Sequence, residues 1–202
     1  MIRAMPSRRN VAIYVFDEVE VLDFAGPFEV FSVTGRRDGS DPFEVCTVAE
    51  QDGPVAARND LSVNPRYTFA TCPRPDVLVV PGGFGTREAM DRPRVLSWVN
   101  EVAVSAELVL SVCTGSLILA RAGLLRGLRA TTHHGALDLL ESLVPDTEVV
   151  RDQRVVDNGE IITSAGVAAG MDMSFHVVAR LLGEEQAMET AGYIEYPWQP
   201  NV

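Results

Sequence analysis

Short, predominantly apolar runs recur along the chain, and helical patterns separate them. The clearest runs lie at residues 11–16, 77–80 and 108–112. A strand that is apolar at nearly every position, rather than at alternate ones, is typical of a parallel sheet that is buried on both faces. Parallel strands need long crossover connections, which are usually right-handed and helical. The sequence therefore predicts an α/β fold, a three-layer sandwich in which helices cover both faces of a mostly parallel sheet.

The other patterns extend this alternation of strands and helices. A strand is predicted at 43–48, two short β-type pieces within 51–75, and a hairpin whose tight turn contains Asn158-Gly159. Helices are predicted over 24–33, with Pro27 in the first turn, and over 92–104, 136–143, 168–182 and 184–194, with another between Cys113 and Gly123.

The length of 202 residues fits one domain that buries a full core. No repeat, low-complexity segment or linker divides the chain. We predict a single domain over residues 10–196, with short tails at 1–9 and 197–202.

The net charge of −11 excludes some classes of partner. An acidic protein is repelled by nucleic acid and by anionic membrane surfaces. No apolar run reaches the ~18 residues that a membrane span needs, and no secretory signal is visible. Cys46, Cys72 and Cys113 lack the spacing of a disulfide framework, which favours a reducing cytoplasm. We expect a cytoplasmic protein that acts on a small molecule and needs no cofactor.

The histidines do not predict a metal site. His133, His134 and His176 lack the paired spacing of zinc ligands, and the adjacent His133 and His134 would point in different directions on a regular element. His176 is interpreted as structural, as is Asp172 in the first turn of its helix. Cys46 and Cys72 are interpreted as inert.

Cys113 is the strongest candidate for chemistry. It lies where an apolar strand pattern ends and a helix pattern begins at once. A side chain at such a corner is lifted towards solvent, and free helix N–H groups and the helix dipole favour a thiolate there. This environment predicts a nucleophile. The alternative is a small buried residue with no chemical role, as free cysteines often are.

Three polar loops are predicted to meet at one edge of the sheet. Residues 20–27, 81–86 and 111–115 each follow a buried strand. Because active sites of parallel α/β sheets lie at the carboxyl ends of the strands, this edge is the predicted active site.

These loops resemble those of the ThiJ/PfpI superfamily, which has the class I glutamine-amidotransferase-like, flavodoxin-like fold. The resemblance covers about residues 10–196. Within the superfamily the isonitrile hydratase branch is the nearest match, and the sensor domain fused to some AraC-type regulators shares its pattern. The matching segments are 21–27, 80–83, 111–116, 122–125, 129–133 and 163–172.

Three departures from the superfamily's patterns bear on function. Thr114 follows Cys113 where peptidase-like members carry histidine, so a protease or amidotransferase triad lacks its base. His134 replaces a tryptophan of the hydratase-like members. Ser164-Ala165 replaces a segment that is usually rich in glycine.

The resemblance implies roles for the loop residues. Asp23 would share one proton with Cys113 and act as general acid and base, and Thr114 would hydrogen-bond one of them. Gly82 and Gly83 would offer backbone N–H groups to the reacting carbon. His133 would line the pocket or lie at a dimer contact. From its sequence position alone, Asp23 could instead cap the helix that follows it.

The activity implied is the addition of water to an isonitrile, giving an N-substituted formamide through a thioimidate on Cys113. The alternatives are a ligand-sensing module without turnover, a redox-sensing or protective thiol, and a glyoxal-detoxifying enzyme. The resemblance also implies a homodimer.

Overall fold

The structure, a computed structural model, describes residues 8–200. Most of the predicted amino-terminal tail, 1–9, and residues 201–202 of the predicted carboxyl-terminal tail lie outside this range. Arg9 already belongs to the first strand. The ring centroid of Trp198 lies 5.7 Å from that of Phe175, so the packed structure extends beyond Tyr196.

The strands are short, and most of those in the main sheet are apolar. In chain order they are β1 (Arg9–Tyr14), β2 (Phe43–Ala49), β3 (Val55–Ala57), β4 (Leu61–Val63), β5 (Tyr67–Thr68), β6 (Val77–Val80), β7 (Leu108–Val112), β8 (Arg129–Ala130), β9 (Glu148–Val149), β10 (Val155–Asp157) and β11 (Ile161–Ser164).

Helices connect the strands, and a single-turn 3₁₀ helix lies at His134–Ala136. Arg58–Asp60 forms a tight turn in which Asn59 and Asp60 have positive φ. The α-helices are α1 (Val21–Val33), α2 (Thr86–Ala89), α3 (Pro93–Ala103), α4 (Gly115–Arg121), α5 (Leu137–Leu143), α6 (Ala169–Leu182) and α7 (Glu184–Tyr193).

Seven strands form the central sheet, in the order β10-β11-β7-β6-β1-β2-β5. All neighbours pair in parallel except β10, which pairs antiparallel with β11. The predicted α/β fold with a mostly parallel sheet is confirmed, and so is the hairpin around Asn158-Gly159. The pairs β3-β4 and β8-β9 form two small separate sheets.

Helices cover the sheet in two layers. Helices α1, α6 and α7 pack against one another, whereas α2, α3 and α5 pack around α4. Every residue of β6 and β7 is buried, as expected of central strands that have helices on both faces.

The structure corrects several predicted boundaries. Strand β1 begins two residues before the predicted start and ends at Tyr14. Helix α1 begins at Val21 rather than Phe24, so Pro27 lies inside the helix and not in its first turn. Residues 51–75 hold three short strands rather than two. Arg9 pairs with Phe43 of β2 at the start of β1, and Glu20, the residue before α1, donates its N–H to the Gly82 carbonyl. A local pattern does not specify these long-range contacts.

Among residues 8–200, no helix is long and apolar enough to cross a membrane.

Candidate active site

Cys113 occupies a sharp corner between β7 and α4. Its φ is +55°, in the left-handed region that side chains rarely adopt. Hydrogen bonds fix the backbone there: the Cys113 N–H lies 3.2 Å from the carbonyl oxygens of both Ser164 and Ala165. The hydroxyl groups of Thr132 (2.8 Å) and Ser116 (3.3 Å) donate to the Cys113 carbonyl. The surrounding structure therefore stabilises a strained conformation, as is typical of functional corners.

Asp23 lies in the first turn of α1 and is fully buried. Its Oδ2 accepts a hydrogen bond from the Gly82 N–H (2.9 Å). Its Oδ1 has no partner at ordinary hydrogen-bond geometry among the described residues. The residue that precedes the helix is Glu20, so the alternative that Asp23 caps α1 is wrong. Burying a carboxyl group with an unused oxygen is costly, which marks this position as more than structural.

The side chains of Asp23 and Cys113 affect each other's ionisation. Burial raises the pKa of Asp23 to about 7, against the opposing effects of the Gly82 N–H and the Cys113 thiol. Burial, followed by the negative charge of Asp23, raises the pKa of Cys113 to about 12. The sequence-based expectation of a favoured thiolate is therefore wrong for Cys113 on its own. Two groups that interact in this way titrate as a pair, and between these values they hold one proton.

Two backbone N–H groups favour the thiolate form of Cys113, but their effect on its pKa is smaller than that of burial. They belong to Thr114 and Val167, and both lower the pKa of Cys113. Val167 has a φ of +47°, which is rare for a β-branched residue. Sequence reasoning missed Val167, because nothing in its neighbours indicates a backbone donor at this position.

The Thr114 side chain contacts the loop that contains Gly82 and Gly83, rather than the side chains of Asp23 and Cys113. Its Oγ1 accepts a hydrogen bond from the Gly83 N–H (3.0 Å) and lies 3.2 Å from the hydroxyl oxygen of Thr86. No hydrogen bond joins the Thr114 hydroxyl to Asp23 or Cys113 among the described contacts. Thr114 therefore holds the loop after β6 in place. Thr86, whose hydroxyl also donates to the Gly83 carbonyl (2.7 Å), is a second residue that sequence reasoning missed.

The N–H groups of Gly82 and Gly83 already donate hydrogen bonds within the protein. They donate to Asp23 and to Thr114, so the predicted role of contacting a reacting carbon does not fit the geometry. The glycines are needed for another reason. A Cβ at position 82 would lie 2.5 Å from the Thr114 nitrogen and 2.8 Å from Asp23 Oδ2. Only glycine allows the three predicted loops to approach this closely.

A cavity of about 250 Å³ opens next to Cys113. Thr114, Gly83 and His133 line it, as the sequence predicted, and Gly82 does not. The lining residues that the sequence did not predict are Glu20, Phe84, Arg87, Gly135 and Val167. The cavity thus has an apolar side and a charged rim, which suits a small, partly apolar molecule.

His133 lines the pocket with a defined hydrogen-bonding state. Its Nδ1 accepts from the Gly135 N–H (3.1 Å), so the neutral ring carries its proton on Nε2. Burial, and next the charge of His134, lower the pKa of His133. The rings of His133 and His134 lie 4.1 Å apart, contrary to the expectation that they diverge. They approach because His134 begins a 3₁₀ turn and not a strand.

The remaining singled-out residues lie in structural contacts. Asp172, in the first turn of α6 as predicted, accepts hydrogen bonds from Arg154 Nε (2.7 Å) and the Tyr196 hydroxyl (2.8 Å). His176 Nε2 lies 2.7 Å from Asp157 Oδ2. Within residues 8–200 no cluster of three or more metal-ligating side chains occurs.

A protein-family model described as the DJ-1/PfpI family matches residues 9–180. The chain belongs to the DJ-1/PfpI family. The ThiJ/PfpI resemblance drawn from the three loops is thereby confirmed, and it extends over most of the fold.

Individual proteins are also similar to this chain. An isonitrile hydratase of Pseudomonas putida is 36% identical over 193 residues, which cover 95% of this chain and 80% of that protein. The HTH-type transcriptional regulator CdhR of Pseudomonas aeruginosa is 30% identical, over 85% of this chain and 50% of the regulator. A crystal structure of a ThiJ/PfpI family protein from Pseudomonas syringae superposes with a TM-score of 0.85 at 32% identity, covering 98% of this chain and 79% of that one.

Proposed function

We propose that the protein is a cysteine-dependent hydratase that adds water to an isonitrile and releases an N-substituted formamide. The observation that carries the proposal is the pairing of Cys113 with the fully buried Asp23, whose pKa is raised to about 7. Such a pair supplies a nucleophile and one mobile proton near neutral pH. The similarity to an isonitrile hydratase over 95% of this chain supports the choice of substrate class.

The reaction requires one nucleophile and one proton carrier. In the active form one proton resides on the Asp23–Cys113 pair. Because the pKa of Asp23 is below that of Cys113, the shared proton lies on the thiol at rest. Asp23 takes this proton as the Cys113 sulfur attacks the terminal carbon of the isonitrile and then gives it to that carbon, which leaves a thioimidate and an ionised carboxylate.

Water completes the reaction with Asp23 as base. Asp23 takes a proton from water as the water oxygen attacks the thioimidate carbon, and it passes this proton to the nitrogen of the adduct. When the carbon–sulfur bond breaks, the formamide leaves and the second proton of the water returns to the Asp23–Cys113 pair. Backbone N–H groups of Thr114 and Val167, which favour the thiolate, stabilise sulfur as it departs.

The proposal is tested by incubating the purified protein with an alkyl and an aryl isonitrile and measuring the N-formyl product. We expect product from the unmodified protein and none above background from Cys113→Ser. The Cys72→Ser variant removes a partly exposed thiol outside the site and is expected to keep full activity. Product formation that persists in Cys113→Ser would overturn the assignment of the nucleophile.

The pH dependence of kcat/KM is a second expected result. Below about pH 7 the pair holds two protons, and the thiol is not nucleophilic; above it the pair holds the single proton that the mechanism needs. We therefore expect kcat/KM to rise up to about tenfold per pH unit on the acid side and to level off above about pH 7. Measurement from acid to mildly alkaline pH checks this, and a profile that falls as pH rises through 7 would contradict the shared proton.

A ligand-sensing role is the second candidate. The observation that favours it is the match to half of a transcriptional regulator, CdhR, at 30% identity. Isonitriles and glyoxals that bind without turnover, detected by a shift in thermal unfolding, would favour sensing. Turnover of glyoxals faster than isonitriles would favour the glyoxal-detoxifying alternative.

A further inference from the structure

Two thiols outside the active site lie next to each other. Cys46 is on β2 and Cys72 follows β5, and a hydrogen-bonding interaction between their side chains is the largest influence on the ionisation of both. Neither thiol takes part in the proposed hydration. Because the two thiols are adjacent, they differ from the isolated buried cysteines that usually have only a packing role.

The sheet explains why they meet. Strand β5 pairs in parallel with β2, with Val48 opposite Tyr67 and Ala49 opposite Thr68. The chain then turns back, because the Cys72 N–H donates to the Thr68 carbonyl (2.9 Å). Cys46 lies two residues before Val48 and so shares a face of the sheet with it. After this turn the side chain of Cys72 packs against the hydrophobic core that contains Cys46.

The two thiols differ in access. Cys46 is 6% exposed and belongs to the hydrophobic core. Cys72 is only partly buried and lines a cavity of about 410 Å³, whose wall includes Phe69, Trp98 and Arg74. A small reagent in this cavity reaches the Cys72 sulfur first. Cys46 does not line this cavity.

Their chemical reactivity follows the same order. The Cys46 thiol lowers the pKa of Cys72, whereas the interaction with Cys72 and burial raise that of Cys46. The exposed thiol is thus the better attacking group, since thiolates carry out disulfide exchange.

We propose that Cys46 and Cys72 are a dithiol pair that a low-molecular-weight disulfide oxidises to an intramolecular disulfide. The sulfur of Cys72 attacks one sulfur of the oxidant, the S–S bond of the oxidant breaks, and one small thiol leaves with the electron pair and takes up a proton. The sulfur of Cys46, having lost its proton, attacks the Cys72 sulfur of the mixed disulfide and displaces the second small thiol. The protein loses two electrons and two protons, and the oxidant gains them. This changes the interpretation of both cysteines as inert.

The experiment uses the full chain with Cys113→Ser, so that only these two thiols remain. The folded protein is incubated with oxidised glutathione, and its intact mass and non-reduced peptides are determined. We expect a loss of two hydrogen atoms, a single linked peptide pair containing Cys46 and Cys72, and release of both glutathione thiols. Dithiothreitol should restore the original mass.

Two variants in the same background separate the steps. With Cys46→Ser the reaction should stop at one glutathione bound to Cys72. With Cys72→Ser the folded protein should remain unmodified, while denaturant should expose Cys46 to reaction. A stable glutathione adduct on Cys72 in the parent protein, or no reaction at Cys72 in the folded chain, would overturn the proposal. Unfolding midpoints of all variants establish that each reaction is that of a folded protein.

Discussion

Replacing Asp23 by asparagine is expected to reduce isonitrile hydration by at least about 100-fold. Asparagine has the same shape and still accepts the Gly82 N–H bond through its side-chain oxygen, so the loop after β6 should keep its position. The amide cannot deliver or accept the proton that moves in both steps. Measurement of kcat/KM for formamide formation, at several pH values, checks the expected loss.

The same substitution is expected to stabilise the fold at alkaline pH. The pKa of Asp23 is about 7 in the folded protein, against an ordinary value of 3.8. Between these values the folded chain holds a proton that the unfolded chain has released. The free energy of unfolding therefore falls as pH rises through this window and stays lower above it. The side-chain amide of the Asp23→Asn variant does not titrate, so at about pH 8 the advantage of the variant should be on the order of 3 kcal/mol.

The control for this prediction is Asp138→Asn, which removes a carboxylate that is 90% exposed on α5. Its activity should match that of the parent protein, and its stability should change by less than about 1 kcal/mol. Urea unfolding at about pH 4 and pH 8 gives the comparison. An Asp23→Asn protein that retained activity within about tenfold of the parent would contradict the role of Asp23 as proton carrier, whatever its stability.

The Gly115→Ala substitution is expected to lower the free energy of unfolding by about 3 kcal/mol and to impair the active site. A Cβ at position 115 would lie 1.9 Å from the Val80 carbonyl oxygen and 2.9 Å from that of Pro81. These are backbone atoms at the end of β6, so no side-chain rotation relieves the clash. Helix α4 and the end of β6 would have to separate, which displaces Cys113 from Asp23.

Two other glycines serve as matched controls for Gly115→Ala. A Cβ at Gly192, in α7, meets nothing within 4 Å, so Gly192→Ala should be neutral or stabilising by up to about 1 kcal/mol. A Cβ at Gly26 lies 2.9 Å from Cγ of Met171, a flexible side chain that can move. Urea unfolding should rank Gly115→Ala as the most destabilised of the three. A loss below about 1 kcal/mol at Gly115 would contradict the rigid contact with β6.

The Asp23–Cys113 pair and the Cys46–Cys72 pair illustrate how the surroundings of a cysteine decide the chemistry of its thiol. Cys113 is held at a strained corner beside a buried carboxyl group, an arrangement in which the two groups share one proton and which suits the addition chemistry that we propose. Cys72 lies at a cavity wall beside a buried thiol, which favours exchange with disulfides. Neither environment follows from the residue type alone.

The sequence by itself determined the fold class and which loops form the candidate site. Runs such as β6 and β7 are short and uniformly apolar, and they alternate with helical patterns, which is typical of a parallel sheet that is buried on both faces. Because parallel strands end at the same edge, the loops containing Asp23, Gly82 and Cys113 were predicted to meet. The hydrogen bonds from Gly82 to Asp23 and from Gly83 to Thr114 confirm that all three do.

Only the tertiary structure decided how these residues interact. Several features depend on contacts between residues far apart in the chain. They are the start of α1, the hydrogen bonds of the Gly82 and Gly83 N–H groups, the contacts of Thr114, the N–H donor at Val167 and the proximity of Cys72 to Cys46. The ionisation of Cys113 depends on burial, which outweighs the helix N–H groups that a local pattern reveals. A sequence pattern reports local conformation and average burial, whereas hydrogen bonds and pKa values are set by atoms that folding brings within a few ångströms.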